Sequence, residues 1–409
     1  MLRWTNEQVG DTIVDIVVSI NKFVIDNKIT DLCVSANYSG EQPTLNTLDE
    51  IHDKLKFVEK EIAALPGHPG DYLRSMNKSH QVLLRWLADD GISYFDAVKG
   101  VIEVALHEVP RQNIDCAAED IDKTLTDIGY TGTAPEKLKK WREDLRIPDD
   151  QVVPVAKQYL QRLKEKSHNT VRALPPDKIE SVNAIRDVRW GALSTYLGDY
   201  TGELTFNIDK PWTAPGLICV LAHEGYPGHH TFYTLWDYLF RQGKLPLEAS
   251  YYIVDSPTNC LFEGAPDNAI HFVGWDDPTR DTPEISKEDK NGIVLASKVS
   301  DLTQMYRMNA NYFFNVEHRS REEVESYMRS AGFFSEDEAK SFKDNSRNYQ
   351  GIYMPCYYYG RWMIRQAYDL YEDKEEFFKV IYDTPQTNAT LIKTIEKKTG
   401  KPFEPFKNV

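Results

Sequence analysis

Cysteine is scarce in this chain, and what there is stands alone. Cys33, Cys116, Cys219, Cys260 and Cys356 are scattered singly over 409 residues, without the paired spacing of a zinc knuckle or a disulfide framework. A disulfide-stapled scaffold is excluded, and a reducing, cytoplasmic location is expected. Long apolar runs are missing too: no stretch reaches the roughly 20 residues that cross a membrane. The N-terminal MLRWTNEQVGDTIVDIVVSINKF is interrupted by Asp11 and Asp15 and no small-residue cleavage site follows, so it fails as a signal peptide. Positive charge is in short supply, with 48 Lys and Arg against 63 Asp and Glu and a formal net charge of -15. Phosphate backbones and anionic lipid are repelled by such a balance, so neither nucleic acid nor membrane is an expected partner. Repeats and low-complexity runs are also lacking.

What is present is an ordinary globular composition. Hydrophobic residues make up 41% and charged residues 27%, too apolar for a disordered chain and enough for an enzyme-sized core. Apolar residues recur at spacings of three and four at Val9, Ile13, Ile16, Ile20 and Phe23, and again at Leu48, Ile51, Leu55, Val58 and Ile62. Two further stripes run through Leu73, Met76, His80, Leu83 and Leu87, and through Val152, Val155, Tyr159 and Leu163. These are core-facing helix stripes. Because His80 lies on one, it is read as core. Thr47 with Glu50, Ser320 with Glu323 and Ser335 with Glu338 have the spacing of capping boxes. Helices are expected to dominate from about Lys287 onward.

The string NTVRALPPDK, Asn169 to Lys178, breaks the helical pattern with two prolines, which suggests an N-terminal helical region at 1–172 and a second region at 173–409. In GELTFNID, Leu204, Phe206 and Ile208 alternate with polar neighbours and predict one short strand. The expected fold class is therefore mainly α, with a small β element next to the motif that follows.

Ten histidines occur in the chain, yet His223, His229 and His230 fall within eight residues, in HEGYPGHH, with Glu224 beside the first. The preceding LICVLA is apolar, so His223 and Glu224 arrive at the end of a buried helix, where an unpaired imidazole and carboxylate are costly. A metal ion satisfies both; a histidine-rich turn tied down by core hydrogen bonds is the blander reading. In an HExxH zinc site the two histidines stand four apart on one helical face. Here position 227 is Pro227, which an undisturbed helix does not accommodate. Were the helix continuous, His230 would return to within about 20° of His223 and His229 would lie about 120° away. Were it broken, with a new helix starting at His229, either imidazole could face the metal.

A zinc hydrolase needs a third protein ligand and an open position for water. Glu263, beside apolar Leu261 and Phe262 and after Ser256 and Pro257, which resemble a helix cap and first position, is the candidate. Asp267 and Glu317 are reserve ligands. Glu224 is placed to act as general base on a zinc-activated water. An extended peptide could add to the edge of the Gly202–Ile208 strand.

HEGYPGHH followed some forty residues later by FEGA resembles the HExxPGHH and EGWA signatures of the domain of unknown function 885. The likeness covers roughly Tyr196 to Gly360. It implies a large helical fold around a deep cleft, a bound Zn2+, and a metallopeptidase of the carboxypeptidase kind acting on peptide substrates. By the same resemblance, the Gly-His of PGHH makes His229 the second ligand beside His223 and Glu263, with His230 next to it as an oxyanion donor or the alternative ligand. The segment CYYYG, Cys356 to Gly360, resembles the family's Tyr-x-x-Gly and gives Tyr357 an oxyanion role. The chain departs from the pattern in two places. It has EGAP, with Ala265 for Trp and Pro266 beyond, and Asn315 or His318 stands where the family places a later histidine. A non-catalytic metal- or peptide-binding protein, or an amidase or esterase on the same site, are the competing expectations.

Overall fold

The apolar stripes become helices in the computed structural model, which describes residues 1–30, 34–188, 190–334, 338–339 and 351–407. The chain begins with α1 (Glu7–Asp26), β1 (Val34–Asn37), α2 (Leu48–Ile62), α3 (Gly67–Leu87) and α4 (Tyr94–Val101). Next come α5 (Arg111–Asp127), α6 (Ala134–Asp144), α7 (Val152–Thr170), β2 (Lys178–Ile185), β3 (Ala192–Gly198) and β4 (Thr201–Asn207). The middle holds α8 (Ala214–Glu224), α9 (His229–Arg241), β5 (Tyr251–Ile253), α10 (Asn259–Asp267) and α11 (Ala269–Phe272). The rest is α12 (Lys287–Asn315), α13 (Arg321–Ser330), α14 (Pro355–Leu370), α15 (Lys374–Asp383) and α16 (Asn388–Thr399). The protein is mainly helical. No helix among the described residues is long and apolar enough to cross a membrane.

Local chemistry sets the helix ends. Thr47 and Glu50 exchange both bonds of a capping box at the start of α2, and Ser320 and Glu323 do so at α13, satisfying backbone donors that the first turn leaves free. The Ser335–Glu338 pair lies outside the described residues, because Ser335 does. Residues 88–150 lie within the region expected to be helical, though none of the stripes named above falls there, and they form α4, α5 and α6. Buried positions are few on the last two, Ile114, Ile121 and Leu125 on α5, and Lys137, Leu138 and Trp141 on α6, which leaves a weak stripe.

Contacts divide the chain into two compact units, one of Met1–Leu106, Tyr233–Ala265 and Asp344–Lys407, the other of His107–Phe232, Pro266–Lys343 and Asn408–Val409. Neither follows a division at residue 172; α7 and β2, on either side of that position, pack together within the second unit. In the first unit α1 packs on α2, α2 on α3, and α3 on α4 and α16, while β1 pairs antiparallel with β5. Helices α10 and α14 cross with little room between them. A Cβ on Gly264 would sit 2.2 Å from the Gly360 carbonyl oxygen, and one on Gly360 would sit 2.3 Å from that of Cys260. Beside this crossing the thiols of Cys260 and Cys356 are 3.6 Å apart. Glu263 is thereby carried on a helix whose separation from its neighbour is fixed by backbone-to-backbone contact.

In the second unit α12 packs on α5 and α8, and α7 and α11 also pack on α8. The single strand expected before the motif is one of three. The sheet has the order β2-β4-β3, with β4 parallel to β2 and antiparallel to β3. The missed strands lack a clean alternation: β2 is exposed or half-buried at every position but Val182. The two-residue loop joining β3 to β4, Asp199 (φ 49°) and Tyr200 (φ 60°), is left-handed at both positions, as tight hairpins require. Because β4 is central, both its edges are already paired. The expectation that a peptide adds to the Gly202–Ile208 strand is therefore corrected; the outer edges belong to β2 and β3.

His80 is 3% exposed among the apolar residues of α1, α2 and α3, and burial pushes its pKa down to about 4. An unfolded chain takes up this proton below about 6.5, the folded one only near 4. The stability is thus intact above pH 6.5 and falls as the pH drops toward 4, by on the order of 3 kcal/mol over the whole interval. Denaturant titrations at pH 7.5 and pH 4.5 should show a smaller loss for His80→Leu than for the wild type, and equal losses would contradict this account.

Candidate metal centre

Helix α8 starts on Thr213, whose side chain accepts from the Gly216 amide, and has Pro215 in its first turn. Its buried positions, Leu217, Ile218, Leu221 and Ala222, carry the chain to His223 and Glu224 at its end. Of the two possibilities left open by Pro227, the helix breaks. The Gly225 amide closes on Leu221, residues 225–228 form a turn with a cis Tyr226–Pro227 peptide, and α9 begins at His229. The turn doubles back so tightly that a Cβ on Gly228 would lie 1.7 Å from the His223 carbonyl oxygen. Only glycine fits there. The rings of His223 and His229 meet edge to face, with centroids 4.8 Å apart.

Ligand-capable atoms of His223, His229 and Glu263 lie within 4.8 Å of one another, and this is the one such group of three among the described residues. His229 and Glu263 are buried, at 8% and 1% exposure. Two imidazoles and a carboxylate are the donor set of many hydrolytic zinc sites, and the donors suit zinc. A second acid completes the arrangement: Oδ1 of Asp267 lies 2.9 Å from Nδ1 of His223, which leaves the opposite ring nitrogen to face a metal, the carboxylate–histidine pairing that orients metal ligands. Asp267, a reserve ligand on sequence, therefore stands behind His223. Its signal was legible: four residues after Glu263, it falls one turn on along the same helix face.

His230 is not in the group. It is fully buried, and its Nε2 is 3.1 Å from Oδ2 of Asp177. Burial holds the His230 imidazole below its ordinary pKa, against the opposing pull of Asp177. Glu224 ends α8 at 9% exposure. The hydroxyl of Tyr353 donates to Oε1 of Glu263, a contact the sequence reading missed. Tyr357, in the first turn of α14, packs edge to face on Tyr353 with ring centroids 5.5 Å apart. Pro266 does not end α10 before Glu263; the helix runs through it to Asp267. Glu317 is bound to Arg319 at 2.7 Å, and Glu317 and His318 are exposed. Asn315 is buried, with its amide donating to the Asn311 carbonyl.

No protein family matches the sequence, and no curated protein matches it. Solved structures share its fold. A protein from Colwellia psychrerythraea described as a "putative lipoprotein" superposes with a TM-score of 0.57 at 16% identity, over 87% of this chain and 64% of that one. The chain thus spans less than two thirds of that relative. A "putative lipoprotein of unknown function" from Shewanella oneidensis gives 0.51 at 13% identity, over 89% of this chain and 76% of that one.

Removing the carboxylate behind His223 with Asp267→Ala should weaken zinc binding about 10- to 100-fold, as measured by competition with a chromogenic chelator; unchanged affinity would take Asp267 out of the centre. Gly228→Ala forces a methyl onto the His223 carbonyl and should cost about 1–3 kcal/mol in denaturant unfolding.

Proposed function

We propose that this chain is a zinc-dependent metallohydrolase, a peptidase of the carboxypeptidase-like kind. The observation that carries the reading is the convergence of His223, His229 and Glu263, brought from the two sides of a helix break and from a separate helix. The Asp267 bond to His223 supports it, since a carboxylate behind an imidazole fixes the tautomer a metal ligand needs. The likeness of HEGYPGHH and FEGA to the 885 domain signatures supports a peptide substrate.

His223, His229 and Glu263 would hold the ion. When bound, zinc supplies Lewis-acid activation of water and of a scissile carbonyl. Glu224 follows His223 directly in the chain and serves as general base: it accepts a proton from the attacking water and returns it to the leaving amine. A protein that only stored the metal has no use for that residue. Tyr353 donates to Glu263 and holds the carboxylate in its rotamer. Tyr357, next to Tyr353 on the same segment, is the assigned phenol donor to a developing oxyanion. His230 is withdrawn from that role here, because its Nε2 is engaged by Asp177.

Metal analysis of the purified protein should find close to one zinc per chain. Glu224→Gln should keep the metal and lose hydrolysis of short peptides by at least about 100-fold. Absence of stoichiometric zinc sinks the reading, and zinc retained with equal rates removes Glu224 from the mechanism. Turnover of esters but not peptides would move the substrate class.

A further inference from the structure

In a continuous helical HExxH site the helix itself sets the distance between the two histidines. Here that constraint is gone: α8 ends at Glu224, α9 starts at His229, and a four-residue turn lies between. Something outside the two helices has to hold the turn. One carboxylate touches it twice. The side chain of Asp177, fully buried just ahead of β2, accepts from the hydroxyl of Tyr226 at 2.5 Å and from Nε2 of His230 at 3.1 Å, both on Oδ2. Tyr226 lies inside the turn and His230 directly follows His229.

The clamp is itself anchored. Lys164, on α7, reaches Oδ1 of Asp177 at 3.1 Å and its backbone carbonyl at 2.7 Å, and Nε2 of His168, one turn further along α7, stands 3.7 Å from the same Oδ1. The Lys164 ammonium also lies 5.5 Å from the centroid of the Tyr226 ring, and the His230 ring packs edge to face on Tyr226 at 5.2 Å. Behind His230, a Cβ on Gly202 of β4 would come within 2.4 Å of Nδ1, so the strand backbone closes the far side of the ring. Burial alone would raise the Asp177 carboxyl, but the bonds from His230, Tyr226 and Lys164 outweigh it and hold its pKa down to about 2. Asp177 is therefore an anion with two donors on Oδ2 and the Lys164 ammonium paired with Oδ1, and hydrogen bonds to a charged acceptor are the strong ones.

We propose that Asp177 is the positioning residue of the metal centre, pinning the turn between α8 and α9 through Tyr226 and His230 so that His223 and His229 converge. The inference rests on the zinc reading for its consequence, though the clamp itself is a property of the metal-free chain. It gives the PPDK segment, which on sequence marked only a boundary, a structural task, and it accounts for His230 and His168 without placing either on the metal.

Two readouts on the full-length protein test it. Asp177→Ala and Asp177→Asn are compared with Leu125→Ala, a destabilised control that removes a fully buried side chain from α5, a helix that supplies no residue of the clamp. In metal-free protein, hydrogen exchange of the amides of residues 225–231 should accelerate at least tenfold in Asp177→Ala, less in Asp177→Asn, and not in Leu125→Ala. With zinc as the probe, the dissociation constant should rise 10- to 100-fold in Asp177→Ala and stay within twofold in Leu125→Ala. Exchange in Asp177→Ala equal to the wild type, or equally accelerated in both alanine variants, overturns the proposal. So does unchanged zinc affinity in Asp177→Ala. If the wild type itself binds no zinc, the functional reading falls and the exchange experiment alone decides the clamp.

Discussion

Everything at the candidate centre depends on the interruption of one helix. A buried helix delivers His223 and Glu224 in sequence, and had it continued, its own pitch would have chosen the second histidine. Pro227 makes continuation unfavourable, and the absence of a side chain at Gly228 lets the chain fold back against the His223 carbonyl. The local cost of breaking the ladder is met by contacts from elsewhere, so the geometry of a short motif becomes a property of the surrounding unit. The helices packed around α8, and the carboxylate of Asp177, do the work that a hydrogen-bonded turn does in a continuous helix.

Buried and half-buried acids divide by what their environment does to them. Glu263 is grouped with the two imidazoles and receives a phenol. Asp267 backs His223, and Asp177 is buried yet kept charged by three donors. Asp255 differs: it is fully buried with a left-handed backbone, and burial raises its pKa well above its ordinary value. Four carboxyl groups within one acidic protein thus hold four roles, decided by which donors reach them.

Much of the helical framework was legible, because α1, α2, α3 and α7 each bury a periodic stripe, and periodicity of that kind has few other solutions. His223, His229 and Glu263 were likewise readable as a group, from residue type and from the cost of burying them unpaired. What escaped was information carried by tertiary partners. The choice between His229 and His230 depends on a break whose exit direction is set by residues fifty positions away, and Asp177 bears no local mark of its task. Strands β2 and β3 were missed because a three-stranded sheet with one well-buried member shows alternation only in that member. Tyr353 was passed over for Tyr357, since a tyrosine-rich run does not say which phenol reaches a carboxylate.

The contact between Gly264 and Gly360 bears on how such a chain can drift. Cys260 and Gly264, and Cys356 and Gly360, are each spaced by four, so both helices present small residues to the crossing, and Ala265 beside it is wholly buried. Neither glycine can be exchanged alone without moving one backbone off the other, and any such movement carries Glu263 with it. Exchanging both adds a second backbone clash and does not relieve the first, so the crossing keeps its spacing only while both positions remain glycine.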